Sequence, residues 1–188
     1  MSPDTLAAIM GCNIGLAAKW AGPITAAMEE YAIDTPARQA AFLAQIGHES
    51  GRLRFVRELW GPTPAQLRYS GRADLGNTQR QAIAYAQAAG MDVGRFYSGR
   101  GLIQVTGYTN YARTASRLGI ECAQIPELLC EPINAARSAG DFWQDHGLNE
   151  LADEGQFETI TRRVNGGLNG YQDRCVLWDT AKRVLGVA

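Results

Sequence analysis

The chain has 188 residues, 46% hydrophobic and 20% charged, and its 18 Lys+Arg against 19 Asp+Glu leave a formal net charge of −1. These values exclude a disordered, collagen-like or coiled-coil architecture and fit one globular domain over 1–188, with two lobes at most. Charge balance this close gives no whole-molecule reason to bind nucleic acid or an anionic membrane. The N-terminus, Met1-Ser2-Pro3-Asp4, is acidic, and polar residues interrupt the apolar run from Leu6 to Ala21, so no targeting or membrane-spanning segment is expected. Asn13 is placed to cap a helix through Trp20, and Pro23 to open another reaching about Ile33. Thr35-Pro36 starts a third, whose Ala40, Leu43, Ile46 and Gly47 share one buried face and which Gly51 stops. Thr63-Pro64 and Thr78 mark further starts, the second for a helix over Gln79 to Ala89.

Leu102 to Val105 is a short apolar run between glycines and reads as a strand or extended segment rather than helix; on a strand, Gln104 and Thr106 share one face. Helices are expected over Asn110–Leu118, Ile133–His146, Phe157–Val164 and Tyr171–Leu185, with Pro126 and Pro132 bracketing a connector and Asn165–Gly170 forming a glycine loop. The sum is a mainly α, single helical domain. Cys12, Cys122, Cys130 and Cys175 show no regular framework and read as a reduced set, although Cys122 and Cys130 are candidates to pair in an oxidising compartment.

The chemistry-bearing residues begin with His48-Glu49-Ser50-Gly51. A zinc H-E-x-x-H motif would need histidine at 52, which is Arg52, and His146 is the only other histidine, so no metal site is expected. Glu49 falls in the last turn of an apolar helix, where the helix dipole and burial both disfavour the anion and suit a general acid; a solvated glutamate at a frayed end fits the same residues. Glu58 follows nine residues later, beyond the helix stop. Two carboxylates in different surroundings are the minimal equipment for glycoside hydrolysis, while an arginine-paired surface glutamate fits equally well. In SGRGLIQVTG, Gly99-Arg100-Gly101 lacks the third glycine of a dinucleotide fingerprint, so the segment is either a sugar-facing or a purely structural strand with Arg100 as a buried hub. Trp20, Trp60, Tyr69, Tyr97, Tyr108, Tyr111, Trp143 and Trp178 are the candidate sugar-stacking aromatics, with Trp143 and Trp178 better suited to the core.

Taken in order, AAFLAQIGHESGRL (Ala40–Leu53), Glu58, GRGLIQVTGYTNY (Gly99–Tyr111), FWQDHGLNELAD (Phe142–Asp153) and ITRRVNGGLNGYQDR (Ile160–Arg174) resemble family 19 glycoside hydrolases, most closely single-domain phage and prophage endolysins of the chitinase-class-I-like branch. The resemblance runs from about Leu16 to Leu185 and implies an α+β, lysozyme-like fold with a small β element beside a deep cleft. It implies Glu49 as general acid, Glu58 as general base and Thr106 as holder of the nucleophilic water. His48, Gln104, Asn110, Tyr111 and Asn165 are implied to bind sugar or order the cleft, and Arg174 to lie near the acid–base pair. No metal or cofactor is implied. The implied activity is inverting hydrolysis of the N-acetylmuramic acid to N-acetylglucosamine linkage of peptidoglycan. Its alternatives are a chitinase, or a non-catalytic sugar-binding protein. Such an enzyme would be a monomer without a separate wall-binding module, made in the host cytoplasm and released to the wall through a hole-forming membrane protein. Two departures stand out: Ser70 occupies a position where relatives often carry glutamate, and Gln79–Gly94 is longer and more helical than the short loop of close relatives, a candidate wall or lid over the cleft.

Overall fold

The computed structural model describes residues 1–187. Its centre is α3 (Pro36–Glu49), entered through Thr35, whose hydroxyl accepts from the Arg38 amide at 3.2 Å. Eight successive residues of α3, Ala40 to Gly47, are buried, so this helix is covered on all sides rather than along one stripe. α1 (Pro3–Met10) packs on it, as do α8 (Leu148–Asp153), α9 (Phe157–Asn165) and α10 (Tyr171–Leu185). α2 (Ile14–Glu30) packs against α7 (Pro132–Asp145), and α6 (Tyr108–Leu118) also packs on α7. The mainly helical expectation holds. Among the described residues no helix is long and apolar enough to cross a membrane.

Two expectations need correction. Pro23 does not begin a helix but sits inside α2. An interior proline gives up one backbone hydrogen bond and costs about 3 kcal/mol in an isolated helix. Here Ala17, Trp20, Ala21, Ile24, Ala27 and Met28 keep a single buried stripe across the proline, and their packing outweighs the break. The Leu102–Val105 run is likewise not a strand. Residues 101–104 turn between Arg100 and Val105, which exchange both backbone bonds (3.1 and 2.7 Å), and Gln104 adopts φ +55°. Arg100 also bridges antiparallel to Arg57, through Glu58 N–H to Gly99 O (2.8 Å) and Gly101 N–H to Val56 O (2.9 Å). Three short segments thus form the only β pairing among the described residues.

Between these parts lie a 3-10 helix over Gln66–Gly71, α4 (Arg80–Ala88) and α5 (Val93–Phe96). α4 packs on α5, and α5 on the 3-10 helix, so the Gln79–Gly94 segment backs the residues that follow Glu58. All four cysteines are free thiols, and burial pushes the Cys122 thiol up to about 12.

Candidate active site

Glu49 ends α3, and the turn after it holds the carboxylate in place. Ser50 is fully buried; its hydroxyl donates to Ile46 O at 2.6 Å and accepts from Leu53 N–H at 2.8 Å. Gly51, Arg52 and Leu53 then take three consecutive left-handed conformations (φ +55°, +61° and +67°). The two non-glycine residues each carry about 1–2 kcal/mol of steric cost. The Ser50 lock, the burial of Leu53 and an Arg52–Asp173 ion pair at 2.7 Å hold the chain there. The serine and glycine of the H-E-S-G motif therefore aim the carboxylate, and the helix does not fray.

The apolar surroundings expected around Glu49 are absent. Arg174, 1% exposed on α10, donates one arm of its guanidinium to Glu49 Oε1 and the other to Gln45 Oε1. Gln45 lies one turn before Glu49 and donates in turn to Thr161 Oγ1 at 2.9 Å. This buried relay ties α3, α9 and α10 together and leaves Glu49 Oε2 without a hydrogen-bond partner among the described residues. His48 Nδ1 lies 2.7 Å from Asp173 Oδ2, and its ring packs against Gly170, whose φ is +69°. A Cβ at 170 would fall within 2.3 Å of the imidazole. Gly170→Ala is expected to displace His48 and destabilise the fold by about 1–3 kcal/mol, the usual range for overpacking. Urea denaturation of the variant checks this value.

Asp173 supplies a pH-dependent element. Burial works to raise its pKa, but hydrogen bonds and charge from His48 and Arg52 outweigh burial and lower it from the ordinary 3.8. A carboxylate with a depressed folded-state pKa contributes stability above its unfolded pKa, which is lost as pH falls through the folded value. Acidification below about pH 4 is therefore expected to cost wild-type stability that Asp173→Asn does not lose. Melting curves of the two proteins from about pH 5 to about pH 2 measure the difference.

Glu58 is held quite differently. Its Oε1 accepts from Gln66 Nε2 (2.9 Å) and the Tyr69 hydroxyl (3.2 Å), and its Oε2 accepts from the Gly99 amide at 2.9 Å. It pairs with no arginine among the described residues, because Arg57 binds Glu127 instead. The arginine-paired surface glutamate is thereby corrected. Burial, with the charge of Glu58, pushes the Tyr69 phenol above its ordinary value, so the hydroxyl remains a donor at neutral pH. A carboxylate has about four acceptor positions. Three are filled, and the open one is on Oε2.

Gly99 is required at that point. A Cβ there would come within 2.6 Å of Gln104 Oε1 and 3.2 Å of Thr106 Oγ1, so both side chains crowd over the glycine whose amide holds Glu58. The Thr106 hydroxyl donates to Gln104 O at 3.0 Å, and Asn110 Nδ2 donates to Thr106 O at 2.8 Å. Glu58, Gln104, Thr106 and Asn110 therefore form one group, although they come from different places in the chain's secondary structure. Arg100 is the buried hub behind it, donating to Phe96 O, Ser98 O, the Tyr111 hydroxyl and Glu127. Asn165 ends α9 with its Nδ2 buried and unpartnered among the described residues.

Tyr111 is corrected. It is fully buried, its hydroxyl donates to Ser98 O at 2.7 Å, and it supports the hairpin from below instead of meeting substrate. Trp20, Tyr97 and Trp143 are buried as well, leaving Trp60 and Tyr69 as the partly exposed aromatics beside Glu58, edge to face at 6.1 Å. Ser70 faces Asp92, to which its hydroxyl donates at 2.6 Å, and does not join the Glu58 group. Sequence reasoning missed Gln45, Gln66 and Asp173. Gln45 had a signal, as a polar residue one turn from Glu49 on an apolar helix; Gln66 had none. Among the described residues no three His, Cys, Asp or Glu side chains gather as a metal site would require.

Two glutamates, one met by a buried guanidinium and one by neutral donors with an unfilled acceptor position, are the equipment of acid–base hydrolysis. No protein-family model matches the chain. A glycosyl hydrolase family 19 domain-containing protein of Haemophilus influenzae is 34% identical to it, over 82% of this chain and 84% of that protein. An endochitinase of Arabidopsis thaliana is 29% identical over 68% of the chain, which spans 38% of the plant protein's length. Among solved structures, a bacterial family 19 chitinase superposes on the whole chain with a TM-score of 0.76 at 21% identity, covering 95% of that enzyme. Chitinase C of Streptomyces griseus superposes with a TM-score of 0.73 at 24% identity, covering 98% of this chain and 76% of that enzyme. The chain belongs to glycosyl hydrolase family 19. It is a glycoside hydrolase with that family's mainly helical, lysozyme-like fold.

Proposed function

We propose that this enzyme hydrolyses bacterial peptidoglycan as an endolysin, cutting the β-1,4 linkage from N-acetylmuramic acid to N-acetylglucosamine with inversion. Glu49 Oε2, the oxygen left open by Arg174, protonates the glycosidic oxygen. A water on the opposite face of the sugar gives its proton to Glu58 Oε2 as it attacks the anomeric carbon. Thr106, whose hydroxyl lies over Gly99, orients the water, and Gln104, Asn110 and Asn165 receive the sugar. The observation that carries the acid–base assignment is the oxygen each glutamate leaves open, Oε2 of Glu49 without any partner among the described residues and Oε2 of Glu58 with one unfilled acceptor position.

Charge favours peptidoglycan over chitin. From Gly51 to Arg72 the chain has five arginines and one acid, Glu58, although the whole protein is nearly neutral. Arg54 and Arg68 are exposed and form no ion pair among the described residues. A cationic segment flanking the base suits a polymer whose peptides carry carboxylates, whereas chitin is uncharged. Chitin is the second reading, supported by the plant endochitinases and bacterial chitinases that the chain resembles. In the endolysin reading the enzyme reaches the wall through a membrane hole made by another protein.

Mass spectrometry of fragments released from purified peptidoglycan, before and after borohydride reduction, tests the proposal. Reducible N-acetylmuramic acid ends are the expected result. Reducible N-acetylglucosamine ends, or intact glycan beside cleaved chitin oligomers, would overturn it.

A further inference from the structure

A cavity of about 360 Å³ opens beside the Glu58 group, and neither glutamate lines it. Its near wall is Gln104, Thr106 and Asn110, the side chains already placed at the water side of the reaction. Its other wall, the next turn of α6 together with α7, carries Arg113, Asp141, Asp145 and His146 over an apolar floor that includes Ile103, Val105 and Phe142. This wall has donors and acceptors in excess of what the fold uses. Arg117 already engages Asp141 (2.5 Å) and Asp145 (2.8 Å). Arg113 reaches Asp145 only at 3.5 Å, makes no side-chain hydrogen bond among the described residues and is 53% exposed. His146 stacks on Phe142 at 3.8 Å and spends Nδ1 on Phe142 O at 2.8 Å, so its Nε2 remains unused.

Neither the fold nor an uncharged sugar requires so exposed and loosely paired a guanidinium in that wall. A planar fork held only by a loose 3.5 Å ion pair to Asp145 keeps donors for a further carboxylate, which such a fork binds through two parallel hydrogen bonds. The position then selects which carboxylate. Water oriented by Thr106 and Glu58 attacks the sugar from whose anomeric carbon the glycosidic oxygen leaves, and in a muramidase that sugar is N-acetylmuramic acid, the one that bears the lactyl group and peptide stem. A pocket sharing Gln104, Thr106 and Asn110 with the water side is within reach of that substituent.

We propose that this cavity is a stem-peptide subsite in which Arg113 binds a stem carboxylate, with His146 Nε2 and the open Asn110 Oδ1 available to the peptide groups. The assignment rests on the peptidoglycan reading above and makes the cavity the feature by which the enzyme separates stem-bearing strands from bare N-acetylhexosamine polymers.

The test compares wild type with Arg113→Ala and Arg113→Lys on three soluble substrates: peptidoglycan strands with stems, the same strands stripped of stems by an amidase, and N-acetylglucosamine oligomers. Arg113 is exposed and lies outside the reacting group, so the variants are expected to fold. On stem-bearing strands Arg113→Ala is expected to raise KM about tenfold, the scale of one charge-assisted hydrogen bond, with kcat within about twofold. Arg113→Lys should fall between the two, and stripped strands should show no difference among the three proteins. Equal changes on stripped and stem-bearing strands, or none on either, would overturn the subsite while leaving the muramidase reading intact. Cleavage of N-acetylglucosamine oligomers with neither form of peptidoglycan cut would overturn both.

Discussion

Glu49→Gln is expected to lower glycan hydrolysis by about 10²–10⁴-fold, the contribution of a positioned general acid. The amide keeps the shape and an oxygen that can accept from Arg174, but it has no proton to give to the leaving oxygen. It also removes the counter-charge of a buried guanidinium. Arg174 keeps its second contact on Gln45, and Glu49 is partly solvated, so the fold is expected to survive at a cost of about 1–3 kcal/mol, the range for an impaired buried charged hydrogen bond. Turnover of reduced-end-labelled strands, with sedimentation of the variant on insoluble peptidoglycan and its melting temperature, separates these effects. Binding should persist. A folded variant with wild-type turnover would remove Glu49 from the acid role.

Glu58→Gln should cost more than about a hundredfold if that residue is the base. Its structural effect is also specific. Both oxygens of Glu58 face donors: the Gly99 amide on one side, Gln66 and Tyr69 on the other. A glutamine must turn its NH₂ toward one set. Gln66 cannot reverse freely, since its own Oε1 already accepts from Thr63 N–H at 2.8 Å. The amide therefore meets Gly99 N–H or loosens the Gly61–Tyr69 loop, at a further cost of about 1–3 kcal/mol. Glu58→Ala avoids this conflict, and added azide should restore part of its turnover by entering as the nucleophile in place of activated water. A loss below about tenfold in Glu58→Gln, or no azide product from Glu58→Ala, would give the role to another group.

Much of the helical framework was legible because caps and periodicity are local. Tyr171–Leu185 begins and ends as the spacing predicts, and Thr35-Pro36 caps α3 as it should. α1 carries local signals of the same kind: Ser2 caps it, accepting from Thr5 N–H at 3.1 Å, and Gly11 ends it in a left-handed conformation. Pro23 misled because the rule that proline starts a helix is local, while the stripe from Ala17 to Met28 that keeps α2 whole is satisfied only by packing, with α7 its largest neighbour. The hairpin at 101–104 misled for a related reason. Alternation suggests a strand, but φ +55° at Gln104 belongs to a turn, and only the pairing of Arg100 with Val105 reveals it.

The site divides along the same line. Glu49 and Glu58 stand out by spacing and motif, whereas the groups that hold them come from distant chain positions, 125 residues away for Arg174 and 41 for Gly99. Asn110 and Tyr111 show how narrow the margin is. Neighbours on a helix point about 100° apart, so one lies with Thr106 and the other in the core.

The central claim, single-displacement hydrolysis by Glu49 and Glu58, is tested most directly by proton NMR of the first product formed from a β-1,4-linked oligosaccharide, recorded before mutarotation. The α-anomer should accumulate first, because water activated by Glu58 enters opposite the leaving oxygen protonated by Glu49. Initial accumulation of the β-anomer would require a covalent or substrate-assisted intermediate and would contradict the roles assigned to both residues.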